Sequence, residues 1–225
     1  MRSPIIKVCG VRTDDVVVAS IEAGATHLGL NFVTRSRRRV DLDAAIRLAQ
    51  KARSLRSDIK LVAVVCDQTQ ERIEALIAAG VADILQLHGD EPPSEVSHWL
   101  ARGVPTIKAV GLAPGEGDDA LVPYLPWLRN DQGPTASMFD LLIDAKVGGR
   151  SGGTGTRIDL ERVTAICASS PVIVAGGLNS QNVGDVIVSA RPLGVDAASA
   201  AEDDGGEPSA DRAAAFASRA KSAFD

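Results

Sequence analysis

Short runs of branched and other apolar residues recur along the chain at 5–9, 27–32, 59–65, 84–88, 106–110, 141–144, 172–175 and 195–199. Most are apolar on both faces rather than alternating, as expected of strands with helices on one side and packed core on the other. Between them, apolar positions repeat with helical spacing over 14–23, 42–54, 69–79, 94–101, 159–169, 180–189 and 210–224. Several of these begin at a residue able to cap a helix (Asp14, Thr69, Ser180), and one stops at Ala79-Gly80. The weakest stretch is 114–137, where Pro, Gly and Asp interrupt a short helix predicted around 121–128.

The rhythm is strand then helix from end to end. Strict alternation allows an open doubly wound sheet or a closed barrel, and eight units favour the barrel. The Gly/Ser-rich runs at 148–155 and 203–209 are only loop-length, so no linker divides the chain. Residues 1–225 are therefore expected to form one domain of the α/β class, a single (β/α)8 (TIM) barrel. A chain of 225 residues suits one such domain, and a hydrophobic content of 45% supplies its core.

Composition narrows the possible partners. The formal charge of -5, with both signs spread along the chain, argues against a nucleic-acid-binding surface. The basic run Arg35-Ser36-Arg37-Arg38-Arg39 is too short to line a groove and reads as a solvated turn or an anion contact. Cys9, Cys66 and Cys167 are widely spaced with no CxxC pair, so neither a disulfide framework nor a metal site is indicated, and a reducing cytoplasm fits. Met1-Arg2-Ser3-Pro4 leads directly into a short apolar run, with no signal-peptide pattern and no membrane span. A cytoplasmic protein is expected. No exposed apolar stripe is evident, which predicts a monomer and leaves a homodimer open.

Active sites of both α/β architectures gather at the carboxyl ends of the strands, so polar residues there are informative. Lys7 and Cys9 share one face of the first strand, and Gln86 and His88 share one face of the fourth. Lys108, Asp144 and Asp196 add three more polar groups within apolar runs. Burying such groups is costly unless partners or a substrate satisfy them, so their recurrence indicates a site. Singly, each has a plainer reading. Cys9 alone is more often a small buried hydrophobe, His88 a hydrogen-bonded structural histidine, and Asp196 or Gln86 a loop cap. Lys7 and Lys108 can reach solvent at a rim, and Asp144 can simply orient the loop that follows it.

Glycines add a second signal. Gly152-Gly153-Thr154-Gly155 follows the sixth strand, Gly176-Gly177 ends the seventh, and Ser199-Ala200-Ala201 follows the eighth. These are the places where a barrel holds phosphate on backbone N–H groups, so Gly153, Gly176, Gly177, Ser199 and Ala200 are expected to bind one.

Taken in order, Lys7-Val8-Cys9-Gly10, Gln86-Leu87-His88-Gly89, Ile107-Lys108-Ala109-Val110, Leu142-Ile143-Asp144, Ala175-Gly176-Gly177-Leu178-Asn179 and Gly194-Val195-Asp196 span nearly the whole chain. This ordered set resembles phosphoribosylanthranilate isomerase. The resemblance implies an Amadori rearrangement of N-(5-phosphoribosyl)anthranilate to 1-(2-carboxyphenylamino)-1-deoxyribulose 5-phosphate in tryptophan biosynthesis, with no cofactor and a phosphorylated small molecule as substrate. It implies Cys9 as general base and Asp144 as general acid on opposite sides of the sugar ring, and Arg38 as the grip on the anthranilate carboxylate. Lys7, Gln86, His88 and Asp196 would line the substrate pocket.

A free thiol is mostly protonated at neutral pH, so Cys9 needs activation, and Lys7 on the same face is the expected source. Asp144 must keep its proton, which calls for a partly desolvated pocket. The chain departs from the family pattern at Ala198 and Ala200, where a serine and a glycine are usual, and at Leu160, where an aromatic is common. A bifunctional phosphoribosyl isomerase of the histidine and tryptophan pathways shares the barrel but normally carries an aspartate where Cys9 stands. A non-catalytic binding paralogue is the alternative of a different class; retention of Cys9 and Asp144 speaks against it.

Overall fold

A computed structural model of the chain describes residues 3–112, 117–129, 133–144 and 159–225. Strands β1 (Ile5–Cys9), β2 (His27–Asn31), β3 (Lys60–Val65), β4 (Ile84–Leu87), β5 (Thr106–Gly111), β6 (Phe139–Asp144), β7 (Val172–Ala175) and β8 (Gly194–Ala197) pair in chain order. All pairings are parallel, and β8 returns to β1, closing the barrel. Closure leaves no open sheet edge. Around it pack α1 (Asp14–Glu22), α2 (Leu42–Leu55), α3 (Gln70–Ala78), α4 (Pro93–Ala101), a short α5 (Leu125–Leu128), α6 (Leu160–Ser169), α7 (Val183–Ala190) and α8 (Ala210–Phe224).

The strands are apolar on both faces because two cores flank them. Leu61, Ala63 and Val65 of β3 face outward into the layer beneath the helices, whereas Val62 and Val64 join Ile5, Cys9, Ile107, Ala109, Leu142, Ile173 and Ala175 inside the barrel. Inward positions recur at every second residue, as the pleat requires.

That alternation corrects the reading of Lys108. Ile107 and Ala109 point inward, so Lys108 points out of the barrel wall, where it is buried rather than at a solvated rim. Its ammonium donates to the Gly89 carbonyl at 2.6 Å and to Glu91 at 2.8 Å. The buried Glu91 carboxylate also accepts the Asp67 and Gly89 N–H groups at 2.9 and 2.8 Å, tying the loop after β3 to the loop after β4. Asp67 is held there at φ 47°, a left-handed conformation rare for residues other than glycine.

Other elements differ from expectation in detail. Helix α7 is capped at Asn182 and starts at Val183 rather than at Ser180, because Asn179 and Asn182 organise the preceding turn: Asn182 N–H donates to Asn179 Oδ1, and Asn179 N–H donates to Asn182 Oδ1. Thr13 and Thr69 stand at the caps of α1 and α3 without a side-chain capping bond, and Asp14 is already inside α1. Around 121–128 a 3-10 segment (Asp119–Tyr124) runs into α5, held by buried Leu121, Tyr124 and Trp127 despite Pro123 and Pro126. No helix among the described residues is long and apolar enough to cross a membrane.

Candidate active site

Barrel register decides which polar residues meet. Lys7 lies level with Asp196 of β8, and Cys9 lies level with Gly29 of β2. Lys7 is fully buried between Ile5 and Cys9 on the inner face, and its Nζ donates to Asp196 Oδ1 at 3.0 Å. An unpaired ammonium there would be prohibitive, so the ion pair is the condition for Lys7 being inside at all. The plainer readings, a solvent-reaching rim for Lys7 and a loop cap for Asp196, do not describe these residues; Asp196 lines the cavity at the barrel mouth, and Lys7, expected with it in the substrate pocket, lies beneath that lining.

Gly29 is what lets the Cys9 side chain occupy its place. A Cβ at position 29 would stand 2.7 Å from Cys9 Sγ and 2.9 Å from Cys9 Cα, closer than real carbon contacts allow. Gly29→Ala is expected to cost about 1–3 kcal/mol in overpacking and to displace the thiol. Thermal melts and turnover of that variant check it, and wild-type behaviour in both would contradict the close approach.

One cavity of about 420 Å³ opens at the C-terminal mouth of the barrel and is lined by Cys9, Asn31, Arg38, His88, Asp144, Gly176, Gly177, Asp196 and Ser199 among others. Its size is that of a small-molecule site. Cys9 and Asp144 end β1 and β6, far apart around the barrel, so they reach the cavity from different sides. Asn31 was not singled out from the sequence; its Oδ1 accepts the Val33 N–H at 2.9 Å and turns the chain out of β2.

The electrostatics of the inner layer favour a protonated Cys9. Burial pushes its thiol above the ordinary value, the Lys7 ammonium pulls it down, and the Asp196 carboxylate pushes it up again. Lys7 thus acts in the expected direction but does not outweigh burial, to which Asp196 adds. For Lys7 itself burial disfavours the charge, yet Asp196 and Cys9 together leave its pKa raised. Gln86 is fully buried, with its Nε2 3.0 Å from His88 Nδ1, so the amide orients the imidazole ring. Desolvation at the mouth, reinforced by Lys7, holds the His88 pKa below its ordinary value, so the ring is neutral at pH 7.

Arg38 lies across Gly10, and its Nη2 donates to Glu202 at 2.7 Å. Arg37 donates to the same Glu202 oxygen at 2.6 Å, and Arg12 stands 3.9 Å away. Glu202 is buried in the loop after β8, and nothing in the sequence around it marked it as the partner of arginines 164 and 165 residues earlier. Three cations around that carboxylate leave the lip of the cavity positive, a setting for an anion.

At the adjoining mouths of β7 and β8 a second, polar cavity of about 460 Å³ lies between residues 177–181, Ser199, Ala200 and Arg212. Gly176 and Gly177 take φ values of 92° and 72°, which glycine adopts without strain. Among the described residues, no protein acceptor takes the N–H groups of Gly177, Ser199 or Ala200. Gly153, expected to join them, lies outside the described residues. No group of three or more metal-ligating side chains occurs among the described residues.

Comparison with known proteins follows the same contour. A sequence profile of the N-(5'phosphoribosyl)anthranilate (PRA) isomerase family matches residues 6–218. The chain is 36% identical over 205 residues to the N-(5'-phosphoribosyl)anthranilate isomerase of Roseiflexus castenholzii, covering 89% of this chain and 91% of the relative. Phosphoribosyl anthranilate isomerase from Thermotoga maritima superposes with a TM-score of 0.79 at 25% identity, covering 98% of this chain and 100% of that one. A further crystal structure, of a phosphoribosyl anthranilate isomerase in complex with reduced 1-(o-carboxyphenylamino)-1-deoxyribulose 5-phosphate, shares the fold with a TM-score of 0.77 at 24% identity over 98% of this chain and 100% of that one. The chain belongs to the N-(5'-phosphoribosyl)anthranilate isomerase family, the aldose–ketose isomerases of tryptophan biosynthesis.

Proposed function

We propose that Cys9 is the general base and Asp144 the general acid with which this isomerase performs its Amadori rearrangement. Protonated Asp144 gives its proton to the furanose ring oxygen of N-(5-phosphoribosyl)anthranilate, and the C1–O bond breaks as the nitrogen lone pair forms a Schiff base. The Cys9 thiolate then removes the proton from C2, giving an enolamine. Protonation of C1 and loss of the C2 hydroxyl proton complete the ketose. The observation that carries this reading is that Cys9 and Asp144 reach one cavity from β1 and β6, under a lip that carries Arg38.

Around this pair the remaining groups bind. Arg38 grips the anthranilate carboxylate with its guanidinium while Glu202 holds it in place. Neutral His88, oriented by Gln86, faces the sugar. Lys7 and Asp196 form the floor beneath Cys9. The N–H groups of Gly176, Gly177, Ser199 and Ala200 hold the 5-phosphate at the mouths of β7 and β8, and the product-like ligand of the structural neighbour carries such a phosphate. The chain acts as a cytoplasmic, cofactor-free enzyme on a phosphorylated small molecule, as a monomer.

The deciding measurement is turnover of freshly prepared N-(5-phosphoribosyl)anthranilate by the wild type, coupled to the next enzyme of the pathway; no turnover would end the reading. A pH profile tests the floor. Proton abstraction needs the thiolate, so kcat/KM rises with pH towards the Cys9 pKa. Lys7→Met removes the ammonium that lowers that pKa and leaves Asp196 unpaired, so the rising limb is expected to move to higher pH. A thiol titration of Lys7→Met that shows no rise would refute Lys7 as the activating charge.

A further inference from the structure

Arg212 occupies the first turn of α8, three residues after the capping Ser209. The amino end of a helix carries partial positive charge, which disfavours a cation there. The side chain is nevertheless turned onto the polar cavity between residues 177–181 and 199–200, and it is the only cation lining it among the described residues. Its Nη1 donates to the Glu202 carbonyl at 3.0 Å and its Nη2 to Asp204 Oδ1 at 2.8 Å. The Asp204 side chain is 95% exposed, so this ion pair contributes little and its carboxylate can swing away into water. A guanidinium has five N–H donors, and the loop beside it offers backbone N–H groups but, at Ala198 and Ala200, no hydroxyl.

We propose that Arg212 is a substrate-binding residue of this chain, which exchanges Asp204 for the 5-phosphate of the substrate and supplies the charge that the neutral backbone cradle lacks. This rests on the reading that the phosphate sits at the mouths of β7 and β8. The guanidinium, anchored by Nη1 on the Glu202 carbonyl, turns its remaining donors to two phosphate oxygens in the paired geometry that planar guanidinium favours. Because Glu202 also holds Arg37 and Arg38, its main chain and side chain place cations at both ends of the substrate.

The test compares steady-state kinetics and inhibition by inorganic phosphate in wild type, Arg212→Gln, Asp204→Asn and Gly177→Ala. Arg212→Gln is expected to raise KM and the phosphate inhibition constant together by about 10- to 100-fold, the loss expected for one charge-assisted contact, with kcat changed little. Asp204→Asn should lower both constants by freeing the guanidinium, a direction that a merely structural pairing of Arg212 with Asp204 would not produce. Unchanged constants in Arg212→Gln, or raised ones in Asp204→Asn, would overturn the proposal. Gly177→Ala separates this from the underlying reading: if it raises both constants while Arg212→Gln does not, the phosphate site stands and Arg212 is not part of it. If neither variant raises them, the phosphate lies elsewhere and both readings fall.

Discussion

Replacing Cys9 by alanine is expected to lower kcat by between about 100- and 10,000-fold, the contribution typical of one positioned acid or base. The loss should be chemical rather than structural. Cys9 is only 7% exposed, yet it lines an open cavity, so truncation removes the proposed base without leaving a sealed void. Asp144→Asn should fall in the same range, because the amide keeps the shape of the carboxyl group but cannot protonate the ring oxygen. In the proposed mechanism the two residues act on one substrate in successive proton transfers, so the double variant should be little worse than the poorer single one. Turnover and thermal melts measured together decide the matter. Near wild-type kcat in Cys9→Ala would remove Cys9 as the base; a loss accompanied by collapse of the melt would make the effect one of folding.

The second large effect is on stability. Lys108→Met would leave the Glu91 carboxylate buried with its ammonium partner gone, a change that costs about 3–5 kcal/mol. For a domain of this size each kcal/mol moves Tm by about 2–4 °C, so a drop on the order of 10 °C is expected. Adding Glu91→Gln should return much of the loss, since a neutral amide oxygen still accepts from Asp67 or Gly89 without a buried charge. Single and double variants by calorimetry form the cycle. A Lys108→Met protein that melts like the wild type would show that the pair contributes nothing to holding the loops after β3 and β4.

These two lysines show where reading a sequence stops. Lys7 and Lys108 both interrupt apolar strands, and alternation along a strand says only which residues share a face with them. It does not say which face is inside the barrel, because both faces are buried. Lys7 proves to point in, against Asp196, and Lys108 out, against Glu91. The arginine run has the same limit: Arg37 and Arg38 reach the cavity lip only because Glu202 is brought beside them from the far end of the chain. Strand ends shifted for local reasons. β2 stops at Asn31, whose side chain takes the Val33 N–H, and β8 stops at Ala197, before the chain curls into a 3-10 turn at Ser199–Ala201.

The alternation of eight strands with helices is legible in residue pattern alone, because periodicity and capping chemistry are written within a few residues of one another. Its ordered motifs also carried the family resemblance, with Cys9 and Asp144 at the ends of their strands. The ionic setting of Cys9 comes from the closed barrel. Whether a thiol is pulled down by one lysine or pushed up by burial depends on distances and solvent access among residues almost two hundred positions apart. The net direction is upward because burial outweighs the pull of the Lys7 ammonium, and Asp196, delivered by barrel closure beside β1, pushes the same way as burial.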